Sequence, residues 1–195
     1  MGYTKTRLAA ANPAVTNRFV ASTNMIVGAY TLAQTTQPTP GPRRVTITHT
    51  TATGVDTLGT IEVTGTDLRG EVISEVLTPV AAGTATGTKF FVTVTDVVGS
   101  GWVISGGNDT IVVGCEAGTA VIDSPGVLHA IAVNTTAAGT ITLADGSGTF
   151  AVMAASIANG LYVYDVDVSG FLRVTLGAAS DVTVIHTPRL PSTYA

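Results

Sequence analysis

Charge is what the chain has least of. Only 11% of its 195 residues are Asp, Glu, Lys or Arg, against roughly 25% in an ordinary soluble chain. Hydrophobic residues make up 45%, and that combination excludes intrinsic disorder, which needs high charge and few β-branched residues. Positive charge is scarcer still. There are nine Lys plus Arg, no basic run longer than Arg43-Arg44, and a pI near 5.1, so nucleic acid is not an expected partner. One cysteine, Cys115, excludes an internal disulfide framework and a cysteine-rich metal site. Placed at the end of Thr110-Ile-Val-Val-Gly114, it reads as a small buried hydrophobe.

Long hydrophobic runs are missing too. Mean hydropathy is +0.43, yet the apolar residues come in short runs broken by Thr, Gly, Asp or Ser, and a spanning helix needs about 20 in succession. A membrane barrel would need longer strands and aromatic girdles, while aromatics are only 6% of this chain. The run Leu8-Ala-Ala-Ala11 is too short for a secretory core. Gly2 and Thr6 fit the short myristoylation pattern with nothing else to support it. No membrane is expected.

What is abundant is threonine, valine and glycine. Thr and Val together form about 30% of the chain, and β-branched residues fit a pleated sheet better than a helix. The 22 glycines supply turns. Alternation agrees. Val45 and Ile47 share a face against Thr46 and Thr48, and Ile61 and Val63 repeat the pattern in Thr60–Thr64. Lys89–Val98 groups Phe90, Val92 and Val94. Gly139–Leu143, Leu161–Val168, Leu172–Leu176 and Asp181–His186 alternate as well. Period two means one buried and one wet face. Turn signals at Asp67–Gly70, Gly106–Asp109, Asp145-Gly146 and Ser169-Gly170 separate these runs, at the spacing of a sandwich or barrel.

The expected fold is therefore all-β, with two small antiparallel β-sandwich or jelly-roll-like units and an extended N-terminal arm. Residues 1–42 form the arm, with one possible strand at Met25–Leu32 and a stiff end at Gln37-Pro-Thr-Pro-Gly-Pro42. Residues 43–117 form the first unit, with about six strands, and 118–187 the second, with about seven. Residues 188–195 are a proline-interrupted tail. The two units show no convincing internal repeat beyond a shared opening, Gly59-Thr-Ile61 and Gly139-Thr-Ile141.

Candidate chemistry is thin. No Gly-x-Ser-x-Gly elbow is present. His49, His129 and His186 are scattered, without a second ligand at metal spacing, and read as satisfied core or interface histidines. His129 alternates with Val127, Ile131 and Val133, which places it on an apolar face. Asp165 and Asp167 would share a strand face about 7 Å apart. That spacing could hold Ca²⁺ or serve as a glycosidase-like pair, but it fits the solvated side of a strand whose other side is Tyr162, Tyr164, Val166 and Val168. Gly99–Gly107 lacks the lysine and helix of a phosphate cradle. A glycan-binding module would need exposed aromatics, with Trp102 and Tyr162 the ones to test, and Trp102 beside Val103 and Ile104 reads as core. No catalytic, cofactor-binding or metal-ligating residue is assigned, no cofactor is expected, and the chain is read as a non-enzyme.

Several stretches resemble tailed-bacteriophage virion proteins. They are Pro42-Arg-Arg-Val-Thr-Ile-Thr48, Gly59-Thr-Ile-Glu-Val-Thr-Gly-Thr-Asp-Leu-Arg-Gly70, Glu71–Leu77, Gly87–Val98 and Asp109–Gly114, joined by Gly126–Ile131 through Asp181–Val184. The resemblance is one of strand-and-turn style. It implies a structural role in the virion, made in the host cytoplasm, with the phage major capsid protein or neighbouring virion proteins as partners. Proline-punctuated arms suit strand addition to a neighbour's sheet edge. On that ground a capsid decoration (cement) protein on the head surface is preferred, assembled as a homo-oligomer with a trimer as the first expectation. A tail, collar or baseplate subunit is the alternative, followed by the glycan-binding module.

Overall fold

The computed structural model describes residues 2–39, 41–52 and 56–189, and the elements among them are all strands. β1 (Thr4–Leu8) is followed by β2 (Val15–Asn24), β3 (Gly28–Ala29), β4 (Arg43–Thr50) and β5 (Thr60–Thr66). Next come β6 (Val72–Leu77), β7 (Thr84–Phe91), β8 (Thr93–Ser100) and β9 (Thr110–Cys115). The chain continues with β10 (Thr119–Ile122), β11 (Gly126–Thr135), β12 (Ile141–Asp145), β13 (Gly148–Met153), β14 (Gly160–Val168), β15 (Leu172–Leu176) and β16 (Asp181–Pro188). They form four four-stranded antiparallel sheets in two compact units.

One unit is continuous, Ala14–Ala117. Its sheets run β2-β9-β4-β7 and β3-β8-β5-β6. Alternation builds its core. Val45, Ile47, Ile111 and Val113 come from the first sheet, and Ile61, Val63, Val94 and Val97 from the second; all are buried in one cluster with Phe19 and Phe91. Each such side chain is worth about 1.5–3 kcal/mol when fully buried. The opposite face is held by threonines, with Thr48 Oγ1 2.8 Å from Thr84 Oγ1 and Thr66 Oγ1 2.7 Å from Thr93 Oγ1.

The other unit is discontinuous, Met1–Pro13 with Gly118–Ala195. Its sheets run β1-β16-β11-β14 and β10-β15-β12-β13. Leu128, Ile131, Val182 and Val184 from one sheet meet Ile141, Leu143, Leu172 and Val174 from the other in a second core. Buried Asn12 fastens the point where the chain leaves this unit and returns. Its carbonyl accepts from Gly118 N–H at 2.8 Å, its Oδ1 accepts from Leu176 N–H at 2.7 Å, and its Nδ2 donates to Val174 O at 3.0 Å. Both units are β-sandwich-like and share one strand order. Counting each unit's own eight strands, one sheet reads first-eighth-third-sixth and the other second-seventh-fourth-fifth.

The structure shows no extended N-terminal arm. Residues 4–8 pair with β16 from Thr4↔His186 to Leu8↔Val182, and β2 pairs with β9. These strands escape a period-two reading for two reasons. β1 buries only Leu8, with Thr6 half-buried and Thr4, Lys5 and Arg7 exposed, and β2 buries Phe19 and Val20 in succession across register shifts. The expected strand at Met25–Leu32 is reduced to Gly28–Ala29. The proline-rich segment is docked as well. Gln37 Nε2 donates to Phe91 O at 2.8 Å, and Arg43 donates to Thr39 Oγ1; Pro40 lies outside the described residues. Lys89–Val98 is two strands, not one, because the ladder breaks at Val92 and the buried set becomes Phe90, Phe91, Val94 and Val97. Of the expected tail, Pro188 ends β16 and Arg189 N–H donates to Pro125 O at 2.7 Å, while 190–195 lie outside the described residues.

Candidate functional site

The sheet β1-β16-β11-β14 carries an irregularity centred on His129. Along β11, Leu128 pairs with Val166 and Ala130 with Val163, so β14 holds an extra residue opposite His129. Against β16, Leu128 pairs with His186 and Ala130 with Ile185, so β11 holds the extra residue there. Bulges re-aim side chains and change strand parity. Buried positions therefore run Leu128, Ala130, Ile131, Val133, with two in succession after the bulge, and the expected alternation of Val127, His129, Ile131 and Val133 on one face does not hold. The bulge also places Asp165 at φ +48°, a left-handed conformation uncommon for a non-glycine residue.

This distortion brings side chains together. His129 Nδ1 lies 3.1 Å from Asp165 Oδ1, and His129 Nε2 lies 3.3 Å from Thr187 Oγ1. A carboxylate only accepts, so Nδ1–H donates to Asp165, while Nε2 and the Thr187 hydroxyl share the second hydrogen bond. The Tyr3 ring sits edge-on to the imidazole at 4.1 Å between centroids. Arg189 makes an ion pair with Asp167. Tyr3, Val127, His129, Thr187 and Arg189 line a concavity of about 270 Å³. Asp165 and Asp167 thus serve two different partners and are not a joint carboxylate pair.

The other residues singled out from the sequence are elsewhere. His49 is buried in the continuous unit, with Nε2 2.8 Å from Asp109 Oδ2 and Nδ1 accepting from Ala82 N–H at 3.0 Å. His186 points inward, its Nε2 2.9 Å from Thr6 Oγ1 and its Nδ1 without a hydrogen-bond partner among the described residues. Burial, reinforced by the charge of His129, holds the His186 pKa below the usual histidine value. Cys115 is a free, buried thiol whose pKa is pushed up by desolvation. Trp102 is 7% exposed and belongs to the core. Tyr162 is half-buried and donates to Ala158 O at 2.8 Å. Buried Trp102 offers no free stacking face. Asp145 caps its turn by accepting from Ser147 N–H at 2.8 Å and Ser169 N–H at 2.9 Å. Arg44 is tied to Glu116 through two hydrogen bonds, and buried Arg43 has its pKa lowered by desolvation. Sequence reasoning does not single out Tyr3, Thr187 and Arg189: Tyr3 and Arg189 lie in the segments read as arm and tail, and Thr187 is the last residue of the expected second unit.

A second feature lies at the sheet edges. β6 and β13 are edge strands and occupy the same place in the shared strand order of their units. Both turn apolar side chains to solvent: Val72 (76%) and Val76 (61%) on β6, Phe150 (40%) and Val152 (58%) on β13.

No protein-family model matches the chain, and comparison with curated proteins and with solved structures finds no match.

Proposed function

We propose that the chain is a non-enzymatic structural subunit of a tailed-phage virion, a decoration protein of the capsid surface that works as a homo-oligomer. The observation that carries this reading is the pair of equivalent, apolar edge strands. β13 has no charged residue or proline, and β6 has only Glu75, whose carboxylate accepts from Thr88 N–H at 2.6 Å and Lys89 N–H at 3.2 Å on β7. β13 carries a bulge at Phe150, but an edge that exposes apolar side chains and little charge still offers main-chain groups to a further strand, and strand addition joins subunits through main-chain hydrogen bonds. The strand order adds support, since it is that of the eight-stranded jelly roll used in viral capsid domains. Because folds host many functions, the edges carry more of the argument than the topology.

The test is a sedimentation assay with empty capsids, combined with light scattering of the purified protein. Wild type should form a discrete oligomer, with three copies expected, and should co-sediment with capsids. Val152→Lys and Val76→Lys, at solvent-facing positions, should abolish one or both. A monomer that ignores capsids overturns the reading. Gold label on the tail instead of the head would move the subunit to a tail, collar or baseplate station.

A further inference from the structure

We infer that the concavity around His129 is a binding site for a neutral sugar ring. The inference stands apart from the edge-strand argument, because the site lies on the outer face of the sheet that holds β1, β16, β11 and β14. Three observations select the ligand class.

The first is charge. An anionic ligand would approach the exposed carboxylates of Asp165 and Asp167, and a cationic one would meet the Arg189 guanidinium already paired with Asp167. A neutral polyol meets neither repulsion, and it can both donate and accept. The His129 imidazole, the Thr187 hydroxyl, the Tyr3 phenol and the Arg189 guanidinium that line the concavity offer matching acceptors and donors, with the Asp165 and Asp167 carboxylates beside His129 and Arg189. The second is surface. Val127 lines the concavity and Tyr3, 63% exposed, stands at its side, giving an apolar patch and an amphipathic ring for the C–H face of a pyranose. The third is size. About 270 Å³ falls just under the ~300–1,000 Å³ of drug-sized pockets, which suits one sugar ring.

The site is also preorganised. The bulge holds Asp165 in a strained conformation, with its carboxylate against His129. Such strain persists only where the surroundings over-determine it, and it clusters at ligand sites. The Asp165–His129–Thr187 line fixes the imidazole and the hydroxyl before a ligand arrives, which lowers the ordering cost of binding.

The experiment uses the full chain and the methyl glycosides of glucose, galactose, mannose and N-acetylglucosamine, followed by saturation-transfer NMR and titration of backbone amides. At least one glycoside should receive saturation on its ring C–H protons and shift the amides of Val127, His129 and Thr187, with Kd of roughly 1–10 mM. Tyr3→Ala should weaken binding at least about tenfold with circular dichroism unchanged, whereas Tyr3→Phe should retain most of it. Thr187→Val should weaken binding without unfolding. The inference is overturned if none of the four glycosides receives saturation, or if Tyr3→Ala binds as wild type. It is equally overturned if inorganic phosphate or methylammonium shifts these amides and the sugars do not.

Discussion

Removing His49 should unfold the continuous unit at much lower denaturant, and the structure allows the size of the effect to be worked out. The side chains of His49 and Asp109 are 1% and 3% exposed. Nδ1 accepts from a backbone N–H, so Nε2 carries the proton donated to the Asp109 carboxylate. In His49→Ala that carboxylate keeps, among the described residues, only the Ala52 N–H, 2.7 Å from Oδ1. Losing a hydrogen bond to a charged group costs about 1.5–3 kcal/mol, and the Ala82 N–H left behind adds up to about 1 more. A vacated imidazole adds a cavity cost. Together these give about 3–5 kcal/mol, the range for breaking one side of a buried pair. Trp102 provides the assay. It is the chain's single tryptophan, belongs to the core of this unit and lies 6.5 Å from the His49 ring, so tryptophan fluorescence follows this unit alone. With a urea m-value of about 1–2 kcal/mol/M, the midpoint should fall by at least about 1.5 M. Pairing His49→Leu with Asp109→Leu should cost less than the two single changes added together, because no buried charge is then left unpaired. A midpoint within about 0.5 M of wild type for His49→Ala, or strict additivity in the cycle, would refute the reasoning.

Two further outcomes concern the discontinuous unit, followed by amide hydrogen exchange on β11 and β16. At Asp165 the left-handed backbone costs an L-residue about 1–2 kcal/mol and the exposed pair with His129 returns little, so Asp165→Gly should be more stable than Asp165→Ala by about 1 kcal/mol; equal protection in the two variants would contradict this. His186 sets a pH dependence. Its folded pKa is depressed below the ordinary 6.5, so the unfolded chain binds the proton more readily. The contribution is fully present above pH 6.5 and is lost as pH falls through the depressed value. Thr6 and His129 are the groups that face this imidazole. Protection in β16 should fall between pH 7.5 and 5 in wild type and stay flatter in His186→Leu; identical pH profiles would remove His186 as the cause.

The strands themselves were legible, because Thr/Val alternation states which face is buried. β4, β5, β15 and β16 follow the sequence pattern closely. Strand order was not legible, since period two fixes a face and never a neighbour. Two units of identical topology therefore read as unrelated. The one likeness noticed, Gly59-Thr-Ile61 and Gly139-Thr-Ile141, does mark equivalent positions: it leads into β5 and β12, the fourth strand of each unit. Bulges hid the rest. At His129 and Asp165 they reverse the parity that alternation assumes, so a residue assigned to an apolar face lines a concavity. The site's members run from Tyr3 to Arg189, and only the return of β16 beside β1 unites them. No local motif could have signalled that.

The shortage of charge looks different once each charge is placed. Many acidic side chains hold backbone: Asp67 accepts from Arg69 and Glu71 N–H, Asp56 from Ser105 N–H, and Asp145 from the two turn amides already described. Others sit in pairs, as in Arg7–Asp181 and Arg44–Glu116. What remains is distributed unevenly over the sheet edges. β1 carries Lys5 and Arg7, β2 carries Arg18, and β14 has a bulge and two carboxylates. β7 is covered by the Glu75 carboxylate, β3 is two residues long, and all four residues of β10 are buried. Each of these is a known way of blunting an edge. β6 and β13, the same strand of the two units, are blunted least: β6 carries one charge, Glu75, turned onto β7, and β13 a bulge at Phe150. The two strands in this equivalent place both present apolar side chains to solvent. Association at those strands would rest on apolar burial and main-chain hydrogen bonds, terms that salt screens little.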